Sequence, residues 1–85
     1  MPKTVFSGAH KHLVYVLVEA RKNAGLTQTE LAQLLGKDQK FISLIERSQR
    51  RVDVLEFVAL ARAMKLEPME LFGSVLATLP TTIEI

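Results

Sequence analysis

The sequence predicts an all-α fold, and three observations carry the prediction. Apolar residues recur at helical spacing, most clearly in Leu31, Ala32, Leu34 and Leu35 and again in Ile42 and Ile45. Thr27 with Glu30, and Asp53 with Glu56, set a side-chain acceptor three residues ahead of a carboxylate, which marks a helix start. Gly25 and Gly36 follow the apolar patterns directly, where a helix ends in a left-handed conformation that a side chain adopts only at a cost. With 85 residues the chain is one small domain, large enough for a helical core but not for two.

Each element follows in order. Residues 1–10, with Pro2, Ser7 and Gly8, are expected to form a flexible arm. Helix 1 is predicted over residues 11–24 and stops at Gly25. Its run Leu13-Val14-Tyr15-Val16-Leu17-Val18 is apolar all the way round. Leu13, Leu17, Ala20 and Ala24 suffice for the domain's own core, which leaves Val14 and Val18 as a second stripe, and a helix with two apolar faces is normally buried on both. Helix 2 is predicted over residues 28–35, capped by Thr27 and closed by Gly36. Helix 3 follows over 39–47, capped by Asp38, with Ile42 and Ile45 turned inward. A basic loop, Ser48-Gln49-Arg50-Arg51, separates it from helix 4 over 54–64. Helix 5 has Pro68 in its first turn and runs to Phe72 or somewhat beyond. The domain proper is therefore residues 11–72. Residues 73–85 form a C-terminal extension with apolar Val75, Leu76, Leu79, Ile83 and Ile85, and with strand-like alternation at Thr82-Ile83-Glu84-Ile85.

Two short helices joined by a tight glycine turn let the second helix enter a DNA major groove. Charge placement agrees. The net charge is +2 overall, but residues 37–51 set Lys37, Lys40, Arg47, Arg50 and Arg51 against only Asp38 and Glu46. Residues 52–85 reverse the balance, with Asp53, Glu56, Glu67, Glu70 and Glu84 against Arg62 and Lys65. That polarity suits a polyanion on one side, although either segment alone would read as a solvated surface.

From Leu13 to Phe72 the chain resembles the Cro/repressor-type (XRE-like) helix-turn-helix family. The matching pieces are Ala24-Gly25-Leu26-Thr27-Gln28, Glu30-Leu31-Ala32, Leu35-Gly36, Ile42-Ser43, Ile45-Glu46-Arg47, Leu60-Ala61 and Glu70-Leu71-Phe72. The resemblance implies a five-helix, lambda-repressor-like DNA-binding domain in which helices 2 and 3 form the reading unit. It also implies that Gln28 contacts a phosphate and braces Gln39, and that Arg21 pairs with Glu46 to set the docking of helix 3. A soluble helix-start residue is the plainer reading of Gln28.

Side-chain chemistry completes the expected interface. Gln39, Lys40, Ser43 and Leu44 lie on the groove side of helix 3 and are the candidate base contacts. A Gln amide donates to and accepts from adenine together, Lys40 addresses guanine or phosphate, Ser43 bonds either, and Leu44 suits a thymine methyl. Thr27, Gln28, Lys37, Arg47, Arg50 and Arg51 are the candidate phosphate contacts; for Arg50 and Arg51 loop solubility is the alternative. Three departures from the family pattern stand out. Ser48 replaces the usual Gly, so a left-handed residue there carries strain. Phe41 replaces a small or polar residue and favours packing over base reading. Helix 1 lacks the charged outer side of its relatives, so its Val14 and Val18, with Val75, Leu76, Leu79, Ile83 and Ile85, are the candidate dimer or partner face.

The reading is a sequence-specific regulator, a repressor that binds double-stranded DNA as a homodimer on an inverted repeat and occludes a promoter. The alternatives are a DNA-binding antitoxin holding a small protein partner, or an interaction module without DNA binding. No enzyme is expected. His10 and His12, two residues apart, face different ways on a helix, no phosphate-loop motif occurs, and Ser43 has no neighbouring His in sequence. No metal or other cofactor is expected, and with no Cys there is no disulfide framework. The apolar run of helix 1 is too short for a signal peptide or a membrane span. A cytoplasmic, bacterial or phage nucleoid-associated location follows.

Overall fold

In the computed structural model, which describes residues 8–83, five α-helices follow one another: α1 Ala9–Asn23, α2 Gln28–Leu34, α3 Gln39–Glu46, α4 Val54–Ala63 and α5 Pro68–Thr78. Each start has a local cause. The Thr27 and Asp53 side chains accept from the backbone N–H of Glu30 and Glu56, and those carboxylates accept in return from the capping residue's own N–H. Asp38 accepts from the Phe41 N–H at 3.2 Å to open α3. Glu67 accepts from Met69, and Pro68 supplies the first helical position of α5. Each such cap contributes about 1 kcal/mol.

The ends of α1 to α4 share one geometry. Gly25, Gly36, Ser48 and Lys65 all have positive φ, between 57° and 75°. The next residue's N–H then reaches back across the turn, Leu26 to Arg21, Lys37 to Ala32, Gln49 to Leu44 and Leu66 to Ala61, at 2.8–3.2 Å. This satisfies carbonyls that a helix end leaves open. Ser48 and Lys65 do so with a side chain, which costs about 1 kcal/mol relative to Gly.

The core is built from Val16 and Leu17 of α1, Leu31 and Ala32 of α2, Ile42 and Ile45 of α3, Phe57, Leu60 and Ala61 of α4, Met64, and Leu71 and Val75 of α5. Helices α2 and α3 pack on each other, while α1 lies against both α3 and α5. Ile42, at 2% exposure, ties the reading helix to this core. Such a side chain contributes about 1.5–3 kcal/mol by burial.

Several boundaries shift from the sequence reading. Helix α1 begins at Ala9, so His10 is helical, and of the expected arm residues 1–7 lie outside the described residues. Helix α5 continues through Gly73 to Thr78, because Leu71, Val75 and Leu79 keep an apolar face at spacing four. Val75 and Leu76 are therefore part of the last helix, not of a separate extension. Among the described residues there is no strand, and Ile83 is non-helical; Glu84 and Ile85 lie outside them. Val14 is buried within the chain at 7% exposure and Val18 is half-buried, so helix 1 has no free Val14–Val18 stripe. Neither belongs to the core cluster, which draws Val16 and Leu17 from α1. Ala24, expected in the core, is the exposed C-cap of α1.

Candidate nucleic-acid interface

Four residues, Leu35 to Asp38, connect α2 to α3. Gly36, at φ 70°, turns the chain, and Asp38 starts the second helix. With Ile42 and Ile45 anchored in the core, the opposite side of α3 presents Gln39 and Lys40, both exposed, and the half-buried Ser43 and Leu44. A protruding first turn with polar ends is the part of such a helix that reaches base edges.

A continuous row of hydrogen bonds runs from α1 to that first turn. Arg21 Nε and Nη2 donate to Glu46 Oε2 and Oε1 at 2.6 and 3.1 Å, and Nη1 donates to the Leu26 carbonyl at 2.8 Å. Glu46 Oε1 also accepts from Gln28 Nε2 at 2.8 Å. Gln28 Oε1 in turn accepts from Gln39 Nε2 at 2.6 Å. Arg21 and Glu46 side chains are only 12% and 10% exposed, so the anchored end is largely dry while the Gln39 end is wet. The bracing of Gln39 thus involves Glu46 as well as Gln28, a link that sequence spacing did not reveal.

The remaining expected phosphate contacts divide. Thr27, Lys37, Arg47 and Arg51 are exposed, with Thr27 also serving as the cap of α2. Arg50 is differently placed. Its Nη1 and Nη2 donate to the two Glu56 oxygens at 2.9 and 2.8 Å, Nη1 also donates to the Arg51 carbonyl, and the guanidinium lies 4.6 Å from the Phe41 ring centroid. The hydrogen bonds hold the Arg50 pKa above its ordinary value. The same bonds, followed by the Asp53 N–H, hold Glu56 below the usual carboxylate range. Arg50 is thus held within the protein, with its side chain still 38% exposed. Phe41 is half-buried against the core and carries Lys37 at 5.5 Å on its ring as well, so it acts as a platform for cations. The Phe41 substitution flagged in the sequence and the Arg50–Glu56 pair form one unit; no sequence signal linked them, because Glu56 already has a full role in the α4 capping box.

A second surface lies between the starts of α1 and α4 and the length of α5. It is an apolar groove of about 860 Å³, walled by Leu13, Phe57, Met69, Phe72, Leu76 and Ile83 among others. Met69, Leu76 and Phe72 are 81%, 56% and 48% exposed. Of the expected partner face, Val75, Leu76, Leu79 and Ile83 line this groove, Val75 as a buried residue; Val14 and Val18 do not line it, and Ile85 lies outside the described residues. His10 and Arg51 sit on its rim, and burial, followed by the Arg51 charge, lowers the His10 pKa.

The Helix-turn-helix family (HTH_3) matches residues 17–71, which span α1 to α5 and contain the whole hydrogen-bonded row. The chain belongs to the XRE-type helix-turn-helix family. Its members are DNA-binding transcription regulators, and this chain is one of them. An XRE-family like protein from Pseudomonas syringae pv. tomato str. DC3000 has the same fold, with 40% identity, 85% of this chain and 88% of that chain covered, and a TM-score of 0.77. The restriction-modification controller protein C.AhdI from Aeromonas hydrophila is 38% identical over 74% of this chain and 91% of its own, with a TM-score of 0.68. The controller protein C.Esp1396I, solved as a tetramer in complex with its natural 35 base-pair operator, shares the fold at 22% identity, covering 85% of this chain and 95% of that chain, with a TM-score of 0.76. No curated protein matches the chain. Among the described residues no helix is long and apolar enough to cross a membrane, and no group of His, Asp and Glu could hold a metal ion.

Proposed function

We infer that the chain is a sequence-specific repressor that binds an inverted-repeat operator as a homodimer. The observation that carries this reading is the braced Gln39 at the exposed start of α3, with Lys37 and Lys40 beside it in sequence and Arg47 at the helix's other end. In this reading Gln39 contacts adenine, Lys40 and Ser43 contact bases or phosphates, and Leu44 lies against a thymine methyl. Thr27 and Gln28 at the start of α2, with Lys37, Arg47 and Arg51, hold the backbone. The likeness at 38% identity to a restriction-modification controller supports a regulatory role. Covering a promoter is the simplest means of repression, and a cytoplasmic site follows from the DNA partner.

The dimer uses the apolar groove along α5. Met69, Phe72 and Leu76 leave apolar side chains exposed along one face of α5, beside that groove. A two-fold dimer would place two α3 helices in successive major grooves. Selection of bound sequences from randomised duplex DNA, with wild type beside Gln39→Ala, tests the reading. An inverted repeat is expected, with preference lost at one position per half-site in the variant. No enrichment, or an unchanged motif in the variant, overturns it. Leu76→Glu is expected to give a monomeric mass at micromolar concentration, where wild type is dimeric.

A further inference from the structure

We propose that Glu46, which faces away from the groove, is a specificity-determining positioning residue that makes Gln39 select adenine over guanine. The inference rests on Gln39 reading a base, as proposed above, and on the direction of the hydrogen bonds behind it.

A Gln side chain is nearly symmetric in shape, and its amide points either way unless a partner decides. Here a carboxylate decides. Ionised Glu46 is an acceptor only, so Gln28 must turn its Nε2 toward it. Gln28 Oε1 is then left pointing at Gln39, and a carbonyl oxygen is again only an acceptor. Gln39 must therefore present Nε2 to it. Arg21, held by two bonds to Glu46 and one to the Leu26 carbonyl, keeps the carboxylate in place.

The consequence appears at the outer end of the row. Gln39 spends one of its two amide protons on Gln28, leaving one N–H and the Oε1 oxygen for the groove. Adenine offers an acceptor and a donor on its major-groove edge and satisfies both. Guanine offers two acceptors, so one of them meets the Gln39 oxygen without a proton between. If the row were reversed, Gln28 would donate to Gln39 Oε1, and both Gln39 amide protons would face the groove, where guanine is the better partner. The sign of the charge at position 46 thus reaches the DNA through two amides.

The test measures binding of the selected operator duplex and of its A·T→G·C variant at the Gln39-dependent position. Wild type is expected to prefer adenine by about 5- to 150-fold, the range of a bidentate contact. Glu46→Gln, whose amide can face either way, and Gln28→Met, which cuts the row while leaving the Arg21–Glu46 pair intact, should both bring that ratio to within about threefold of unity. Arg21→Lys keeps a carboxylate at position 46 and should keep the ratio even where affinity falls. Gln28→Met answers the question should Glu46→Gln fail to fold. A wild-type ratio retained in Gln28→Met overturns the proposal. If Gln39→Ala changes preference at no position, the base-contact reading itself fails, and the proposal with it. If Gln39→Ala removes the preference while Gln28→Met keeps it, only the proposal fails.

Discussion

The Arg21–Glu46 pair should behave as a buried ion pair whose worth lies in geometry, not stability, and a double-mutant cycle can separate the two. Arg21→Met removes both bonds to Glu46 and the bond to the Leu26 carbonyl. Glu46 then remains a carboxylate about nine-tenths buried, with Gln28 Nε2 still donating to it. Leaving such a charge uncompensated costs about 3 kcal/mol, the lower end of the range for buried pairs because both side chains keep some solvent access. The lost Leu26 bond adds about 1 kcal/mol. The total of roughly 4 kcal/mol is large against the ~4–13 kcal/mol expected for a chain of this length. Arg21→Met/Glu46→Leu removes both charges and should lose only about 1 kcal/mol relative to wild type, about 3 kcal/mol less than Arg21→Met alone; Glu46→Leu alone strands Arg21, so its own cost lifts the coupling energy above that difference. Urea unfolding followed by far-ultraviolet circular dichroism reads this directly. At a slope of about 1 kcal/mol/M, the single variant's midpoint should fall by roughly 4 M and the double's by roughly 1 M. The double variant should nonetheless discriminate poorly between operator sequences, because Gln28 has lost its carboxylate. A coupling energy below about 1 kcal/mol would place the pair among ordinary surface ion pairs and refute the reasoning.

Lys65→Gly should raise stability by about 1 kcal/mol, or about 4–8 °C in Tm, since Lys65 is exposed at φ 60° and its side chain is not in the core; a calorimetric scan checks it, and no rise would mean the turn is unstrained. For His10, burial lowers the folded pKa below the ordinary 6.5, so the unfolded chain binds the proton first as pH drops. Stability should therefore be full above pH 6.5 and decline from there to the lowered folded value, and His10→Leu should flatten that part of the pH profile measured by urea midpoints. Because Arg50 is bound to Glu56, Arg50→Ala should leave the slope of log K against log salt unchanged, whereas Lys40→Ala or Arg47→Ala should each reduce it by about 1; a matching drop for Arg50→Ala would place that residue on a phosphate.

Helix order and the reading unit were legible because their signals are local. Thr27 and Glu30, Gly36, and Asp38 each act within one turn of their own position, and the structure uses them there. What escaped sequence reading depends on which elements meet. Val14 reads as an outer stripe from its spacing, yet it is 7% exposed while standing outside the core cluster. Helix α5, expected to reach Phe72 or somewhat beyond, runs to Thr78 because the Leu71–Val75–Leu79 face against the core carries it past Gly73 and Ser74, which weaken helix propensity. Lys65 passed unnoticed as a left-handed residue because Lys is a good helix former and gives no turn signal. Phe41, Arg50 and Glu56 come from a helix, a loop and another helix, and no spacing rule unites them.

The same pairs change what the charge balance of residues 37–51 means. Counted along the chain, two acids offset five bases. In space, Glu46 is turned inward and matched by Arg21, so it does not dilute the field in front of α3. Arg50 is matched by Glu56 from outside the segment, so it does not add to that field either. Asp38 spends its charge at the start of α3, against the partial positive end of the helix. Lys37 and Lys40 at the start of α3 and Arg47 at its end then stand exposed, with Asp38 and Glu46 already engaged. A surface arranged this way attracts a polyanion through a few cations while its central amide stays free of competing charge. Affinity and selectivity are thus assigned to different residues, so substitutions at Lys40 and at Glu46 should alter different measurable quantities.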